Sequence, residues 1–174
     1  MSQDDERSLD ELFSMAYEEL RRLAISVSRD EASASLNPTA LVHEAWLKMM
    51  RSPPKMPVSE LHFKRIAARA MRQVLVEAAR RRRAEKRGGN AVLVTFDDSF
   101  TDIASSADDV LALDEALDEL ARVNQRQAMM VESRFFGGLD IPDTAELLGV
   151  SEATVLRDWR AARAWLASEL RRRN

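Results

Sequence analysis

The residues best suited to chemistry in this 174-residue chain are arginines at helical spacing near its C-terminus. From Val155 to Leu166, apolar residues recur at steps of three or four, which predicts an amphipathic helix. At about 100° per residue, small and basic residues share the opposite face. Arginine can contact guanine edges or phosphates, so this face is suited to the DNA major groove. The predicted DNA contacts here are Ala153, Arg157, Arg160 and Arg163. The alternative is a helical hairpin with a solvated basic face.

The residues before this helix predict a second, shorter helix and a tight turn. Asp140 is placed to cap that shorter helix, and Pro142 falls in its first turn, where a missing N–H costs little. Gly149 is suited to end it, and Ser151 to cap the helix that follows. The stretch 141–166 therefore predicts a helix-turn-helix.

A second group of arginines follows one side of a long helix predicted from a Ser59 cap to about Arg87. This basic ridge occupies an arc of roughly 80° beside an apolar stripe that begins at Phe63. Its members are Arg65, Arg69, Arg72, Arg80, Arg83 and Arg87. Between Lys64 and Arg87 the acids are Glu77 and Glu85, too few to pair these arginines, so the ridge predicts nucleic-acid binding. A solvated, salt-bridged surface is the alternative.

The sequence offers little support for an enzyme. His43-Glu44 begins like a zinc-protease motif, but Leu47 stands where the second histidine is required. His62 is the other histidine of the chain, and there is no cysteine. We see no glycine-rich phosphate loop and no nucleophile beside a base. We therefore expect no catalytic activity, no cofactor and no metal.

Composition and spacing predict an all-α protein of two small helical domains joined by a linker, the second ending in the helix-turn-helix. Further helices are predicted over 10–25, from Pro38 behind an Asn37 cap to Met50, over about 108–120, and from an Asn124 cap to Gly137-Gly138. The stretch 90–107 is acidic and lacks helical periodicity, and residues 92–96 are predicted to form a short extended segment. The predicted domains are 1–88 and 108–174, with a linker at 89–107. No apolar run is long enough to span a membrane and no secretory leader is seen, so we expect a cytoplasmic protein.

Three stretches in this order resemble a known family. Leu41-Val42-His43-Glu44-Ala45-Trp46 is similar to the core of sigma region 2.2, and residues 72–81 (RQVLVEAARR) to the run that spans regions 2.3 and 2.4. Residues 134–139 (RFFGGL) and 145–155 (AELLGVSEATV) resemble region 4. The chain thus resembles a bacterial RNA polymerase sigma factor of the extracytoplasmic-function (ECF) group, which keeps only regions 2 and 4.

The resemblance implies how the predicted surfaces are used. The helix predicted from Pro38 to Met50 would dock on the clamp helices of core RNA polymerase. Its contacts would be Leu41, Val42, Glu44, Ala45 and Lys48. The basic ridge would hold promoter DNA near the start site, and the C-terminal helix would read the upstream element. The alternatives are a helix-turn-helix repressor or activator that works without polymerase, and a helical protein-interaction module.

One departure from the family pattern concerns the start of the second helix. The family usually has acidic residues ahead of Leu-Val, but this chain has neutral Thr39 and Ala40. A phosphate on Thr39 would restore negative charge near a helix N-terminus, where anions are favoured by about 0.3–1 kcal/mol. We therefore expect phosphorylation of Thr39 by a Ser/Thr kinase to be one route of control. Control by synthesis, or by a separate inhibitor such as an anti-sigma factor, is the alternative.

Overall fold

The computed structural model describes residues 38–51, 59–85 and 107–173, together with Glu11, Ser14, Tyr17, Glu18, Arg21 and Ala24, which are helical. The described ranges form six helices: α1 Pro38–Arg51, α2 Glu60–Glu85, α3 Ala107–Val123, α4 Gln125–Phe135, α5 Ile141–Leu148 and α6 Glu152–Arg173. No strand occurs in these ranges, so the predicted all-α class is confirmed. None of these helices combines the length and apolarity needed to cross a bilayer.

Local sequence signals set several of the helix ends. Each predicted capping side chain that is described accepts a hydrogen bond from the backbone N–H three residues on, at 2.8–3.2 Å: Ser59, Asn124, Asp140 and Ser151. These bonds satisfy N–H groups that a helix leaves without a partner at its start. Gly149 ends α5 in the left-handed conformation, with φ +63°, as expected for a glycine cap.

Several predicted boundaries lie at or beyond the edges of the described ranges. α1 begins at Pro38 as predicted, but its Asn37 cap lies outside the described residues. The predicted end of the long helix near Arg87, the double glycine after it and nearly all of the linker, with the extended piece at 92–96, also lie outside. α3 is longer than the predicted 108–120, because it continues through Val123.

The long helix α2 is central to the packing. It packs against α1 on one side and against α3, α4 and α5 elsewhere. One apolar cluster contains fully buried side chains from both sides of the predicted linker: Leu41, Phe63, Leu117, Leu120, Met130 and Leu166. A smaller cluster joins Val76 and Ala79 of α2 to Leu111 of α3. The division into two domains stays a prediction, and the helices on either side of it share a core in this structure.

Small residues bring α2 close to the turn between α4 and α5. A β-carbon at Gly137 would lie 3.0 Å from the β-carbon of Ala68 and 2.5 Å from the backbone oxygen of Ser133. No side chain fits at that spacing without a shift of the backbone. The glycine that was predicted only as a helix stop therefore also permits this close approach.

Candidate nucleic-acid interface

The α5–α6 pair separates a buried face from an exposed one. Gly149, Val150 and Ser151 join the two helices. The predicted stripe of α6 packs inward: Val155, Ala162 and Leu166 are buried, and Trp159 is half-buried. The predicted DNA-contacting residues lie away from this stripe: Ala153, Arg157 and Arg160 are exposed, and Arg163 is half-buried. α6 therefore presents a small-and-basic surface while its other side is fixed in the core.

Two polar contacts fix the orientation of α6. The carboxylate of Asp158 is buried and accepts from Nε of Arg126 at 2.9 Å, with Nη2 of Arg126 at 2.7 Å. The guanidinium of Arg134 lies over the Trp159 ring, 4.5 Å from its centroid. Burial lowers the pKa of Arg134, and the negative charge of Asp140 partly opposes that shift.

The Asp158 contact was missed in the sequence analysis, although a signal for it was present. Asp158 lies three residues after Val155 and four before Ala162, so helical spacing places it on the buried stripe. A charged residue on a buried stripe needs a partner, because an unpaired buried charge is very costly. Its partner, Arg126, lies 32 positions away, so helical periodicity does not identify it.

On the basic ridge of α2, Arg72 lies in an acidic environment. Its side chain is only 14% exposed. Nε donates to Asp114 Oδ1 at 2.8 Å, Nη1 to Glu132 Oε2 at 2.8 Å, and Nη2 to Asp118 Oδ1 at 2.7 Å. Nη2 also donates to the backbone oxygen of Asp114. We call these four residues the Arg72 cluster.

The Arg72 cluster changes the electrostatic interpretation of the ridge. Burial by itself would lower the pKa of Arg72, but the hydrogen bonds to Glu132 and Asp118 and the negative charges of Asp114 and Glu132 raise it above its usual value. Arg72 therefore stays charged. The expectation that acids are too few to pair the ridge is wrong at this position, because α3 and α4 supply them from 42, 46 and 60 positions away.

The remaining members of the ridge are more open. Arg80 and Arg83 are 68% and 66% exposed, and they lie 3.9 Å from Asp114 and 3.5 Å from Asp108 respectively. Exposed ion pairs of this kind typically contribute only about 0–1 kcal/mol to stability. Arg69 is exposed, while Arg65 is half-buried and donates to the sulfur of Met129 at 3.5 Å. Arg87 lies outside the described residues.

The residues predicted to bind polymerase lie on both sides of α1. Three of them are buried against the other helices: Leu41, Val42 and Ala45. Glu44 is exposed, and Lys48 pairs with Glu77 of α2. Leu47, which the sequence analysis did not select, is 53% exposed between them. The outer surface of α1 thus includes Glu44, Leu47 and Lys48, and the buried three hold this surface on α2.

Thr39 lies in the first turn of α1 and is half-buried. That turn, Pro38 onward, carries no acidic residue. Phosphorylation of Thr39 stays a prediction. Among the residues that the structure describes, no group of three or more His, Asp or Glu side chains is arranged to hold a metal ion.

Comparison with known proteins identifies the family. A family model described as ECF sigma factor matches residues 1–172, nearly the whole chain. The chain therefore belongs to the ECF sigma factor family, as the resemblance of its three stretches predicted. No curated protein and no solved structure matches it significantly. Sigma factors act in transcription initiation and are not a family of catalysts.

Proposed function

We propose that this chain binds core RNA polymerase and directs it to promoters as an ECF-type sigma factor, and that it acts in the cytoplasm. The family match supports the proposal in general terms. The single structural observation that carries it is the exposed face of α6, where Ala153, Arg157 and Arg160 lie opposite the buried stripe. Small residues let the helix approach base edges, and arginines supply the donors that guanines accept.

Polymerase binding is assigned to the outer surface of α1. Exposed Leu47 provides an apolar contact, and Glu44 and Lys48 provide charges on either side of it. Single exposed apolar side chains are common on protein surfaces, so the assignment depends on the position of Leu47, which directly follows the stretch 41–46 that resembles sigma region 2.2. Leu41, Val42 and Ala45 support this surface from inside rather than touching the partner, because they are buried.

Reconstitution with core RNA polymerase tests the proposal. We expect the purified chain to co-elute with the core enzyme and to start transcription from a promoter that the core enzyme alone does not use. Leu47→Asp should abolish co-elution, whereas Val123→Asp, at a 70% exposed site at the end of α3, should leave it intact. Sequence-specific duplex binding without polymerase, as a dimer on a palindrome, would instead identify a stand-alone helix-turn-helix regulator.

Control through Thr39 is a separate proposal. A phosphate carries about −1.5 to −2 charges at neutral pH, and it would lie in the first turn of α1, which lacks acidic residues. We expect weak polymerase binding by the unmodified chain and stronger binding by Thr39→Glu. Full activity of the unmodified chain, unchanged in Thr39→Ala, would indicate control by synthesis or by an anti-sigma factor instead.

A further inference from the structure

An exposed leucine lies on the face of α6 that is assigned to DNA. Among the described residues, three large apolar side chains are exposed: Leu47, Val123 and Leu156. Leu47 belongs to α1 and Val123 ends α3, whereas Leu156 lies in the second turn of α6 and is 38% exposed. Because single exposed apolar residues are ordinary on a protein surface, it is the position of Leu156 that decides whether it has a role.

Helical geometry places Leu156 among the residues predicted to contact DNA. At about 100° per residue, Leu156 lies roughly 40° from Arg160 and roughly 60° from Ala153 around the axis of α6. Ala153, Arg160 and also Arg157 are exposed, as Leu156 is. Leu156 is therefore the large apolar side chain of an otherwise small and basic surface.

The residues beside Leu156 in the chain keep it turned outward. Val155 is 1% exposed and Asp158 is 7% exposed, so both are fixed in the interior. The start of α6 is held as well, since Ser151 Oγ accepts from the N–H of Thr154 at 3.2 Å. The helix would have to rotate and expose these buried residues before Leu156 could enter the core. Its side chain thus stays accessible to a partner.

We propose that Leu156 is a specificity-determining residue, which contacts the C5 methyl group of a thymine in the upstream promoter element. The inference rests on the proposed sigma-factor function and deepens it, because it assigns one base preference to the same DNA-binding surface. Leu156 and Arg160 are four residues apart, which is about 6 Å along a helix, and successive bases of one strand are about 3.4 Å apart. The thymine is therefore expected within about two base-pair steps of the base that Arg160 contacts.

The chemistry of the major groove selects the thymine. All four bases present hydrogen-bonding groups there, and thymine also presents a methyl group. Leucine has no donor or acceptor of its own, and covering a polar group without giving it a partner is costly. Removing one methyl-sized apolar group from water corresponds to about a fourfold change in affinity. A leucine at this position therefore favours thymine over the other three bases.

The first readout is the base preference of the full chain bound to core RNA polymerase. Promoter duplexes randomised across the upstream element are selected by binding to the parent holoenzyme and to Leu156→Ala, whose side chain is too short to reach the same methyl group. We expect one position at which the parent selects thymine and Leu156→Ala does not. Val123→Ala, which shortens an exposed apolar side chain at the end of α3, is the control and should select the same sequences as the parent.

The second readout removes the methyl group from the DNA instead of shortening the side chain. Deoxyuridine replaces thymidine at the selected position, so the duplex loses the C5 methyl and keeps every hydrogen-bonding group. We expect the parent holoenzyme to bind this duplex about fourfold more weakly, and Leu156→Ala to lose less than about 1.5-fold. Leu156→Met keeps an apolar side chain of similar reach, so it should retain most of the parent's loss.

Circular dichroism shows whether each variant is folded, and if Leu156→Ala fails to fold, the parent and Leu156→Met on the two duplexes decide the question. Two results overturn this inference alone. One is a set of base preferences that is the same in the parent and in Leu156→Ala, and the other is equal binding of the thymine and uracil duplexes by the parent. A parent chain that neither binds core polymerase nor selects any promoter sequence overturns the proposed function and this inference together.

Discussion

The arginines of α2 and those of α6 have different surroundings. On α6, Arg157 and Arg160 are exposed on the side opposite the buried stripe. On α2, Arg72 is largely buried and bonds to carboxylates of Asp114, Asp118 and Glu132. One surface is accessible to DNA as it stands, while the other is partly occupied by the protein itself. Arginines at helical spacing are therefore not all equally exposed, because the fold can place carboxylates beside some of them.

The acids that pair with arginine also differ between the two regions. Asp158 lies on the buried side of α6 and pairs with Arg126, so it orients the helix without covering Arg157 or Arg160. The acids of α3 pair directly with members of the basic ridge. The α6 surface is therefore exposed, whereas part of the ridge is covered by carboxylates of the same chain.

The largest expected effect on stability is at Arg72. In Arg72→Ala, Asp114 and Glu132 lose their common partner in a site where each is about 15% exposed. Removing one member of a buried charge cluster costs about 3 kcal/mol, so we expect the free energy of unfolding in urea to fall by roughly that amount. Arg69→Ala, at an exposed position one turn away, should change it by no more than about 0.5 kcal/mol. Equal losses of unfolding free energy in Arg72→Ala and Arg69→Ala would show that pairing with carboxylates gives Arg72 no special role in stability.

Arg157 and Arg160 should show the opposite behaviour. Replacing either with alanine should cost about 1–3 kcal/mol in promoter discrimination if it contacts a base. The unfolding free energy should stay nearly unchanged, because both side chains are exposed. Transcription from a set of promoters with altered upstream elements measures the effect, and Arg171→Ala at the exposed end of α6 is the control. A loss that is the same on every promoter would indicate phosphate contacts instead.

A change at Gly149 tests how much the left-handed turn before α6 contributes to stability. Gly149 has φ +63° and no atom within 4 Å of the place where a β-carbon would lie, so Gly149→Ala introduces backbone strain without a clash. The left-handed conformation costs a non-glycine residue about 1–2 kcal/mol. We expect the free energy of unfolding of Gly149→Ala, measured by thermal unfolding, to fall by an amount near the lower end of that range. Glu146→Ala, at an exposed site within α5, is the control and should have little effect.

The smallest expected effect on stability is at the open end of the ridge. Arg80→Ala and Arg83→Ala remove exposed ion pairs, and each should change the unfolding free energy by less than about 1 kcal/mol. Their effect should appear in promoter binding instead. Each lost phosphate contact should reduce the slope of log affinity against log salt by about 0.9. Polymerase pull-down should be unaffected, and its failure would mean that the wrong surface has been assigned to DNA.

The sequence alone determined the helical class and several of the helix ends. Ser59, Asn124, Asp140 and Ser151 cap the helices that they were predicted to cap, because a capping bond joins residues only three positions apart. The two faces of α6 followed from helical periodicity in the same way. The three family stretches identified the chain as a sigma factor, since each is a short local pattern in a fixed order.

Only the tertiary structure decided which arginines are already paired. Asp114 and Glu132 lie 42 and 60 positions from Arg72, and no local pattern specifies that α3 and α4 pack beside it. The same holds for the approach of Ala68 to Gly137, which depends on the spacing of two helices. Capping and periodicity act over a few residues, whereas burial and ion pairing depend on every helix that packs nearby, and that packing is a property of the folded chain as a whole.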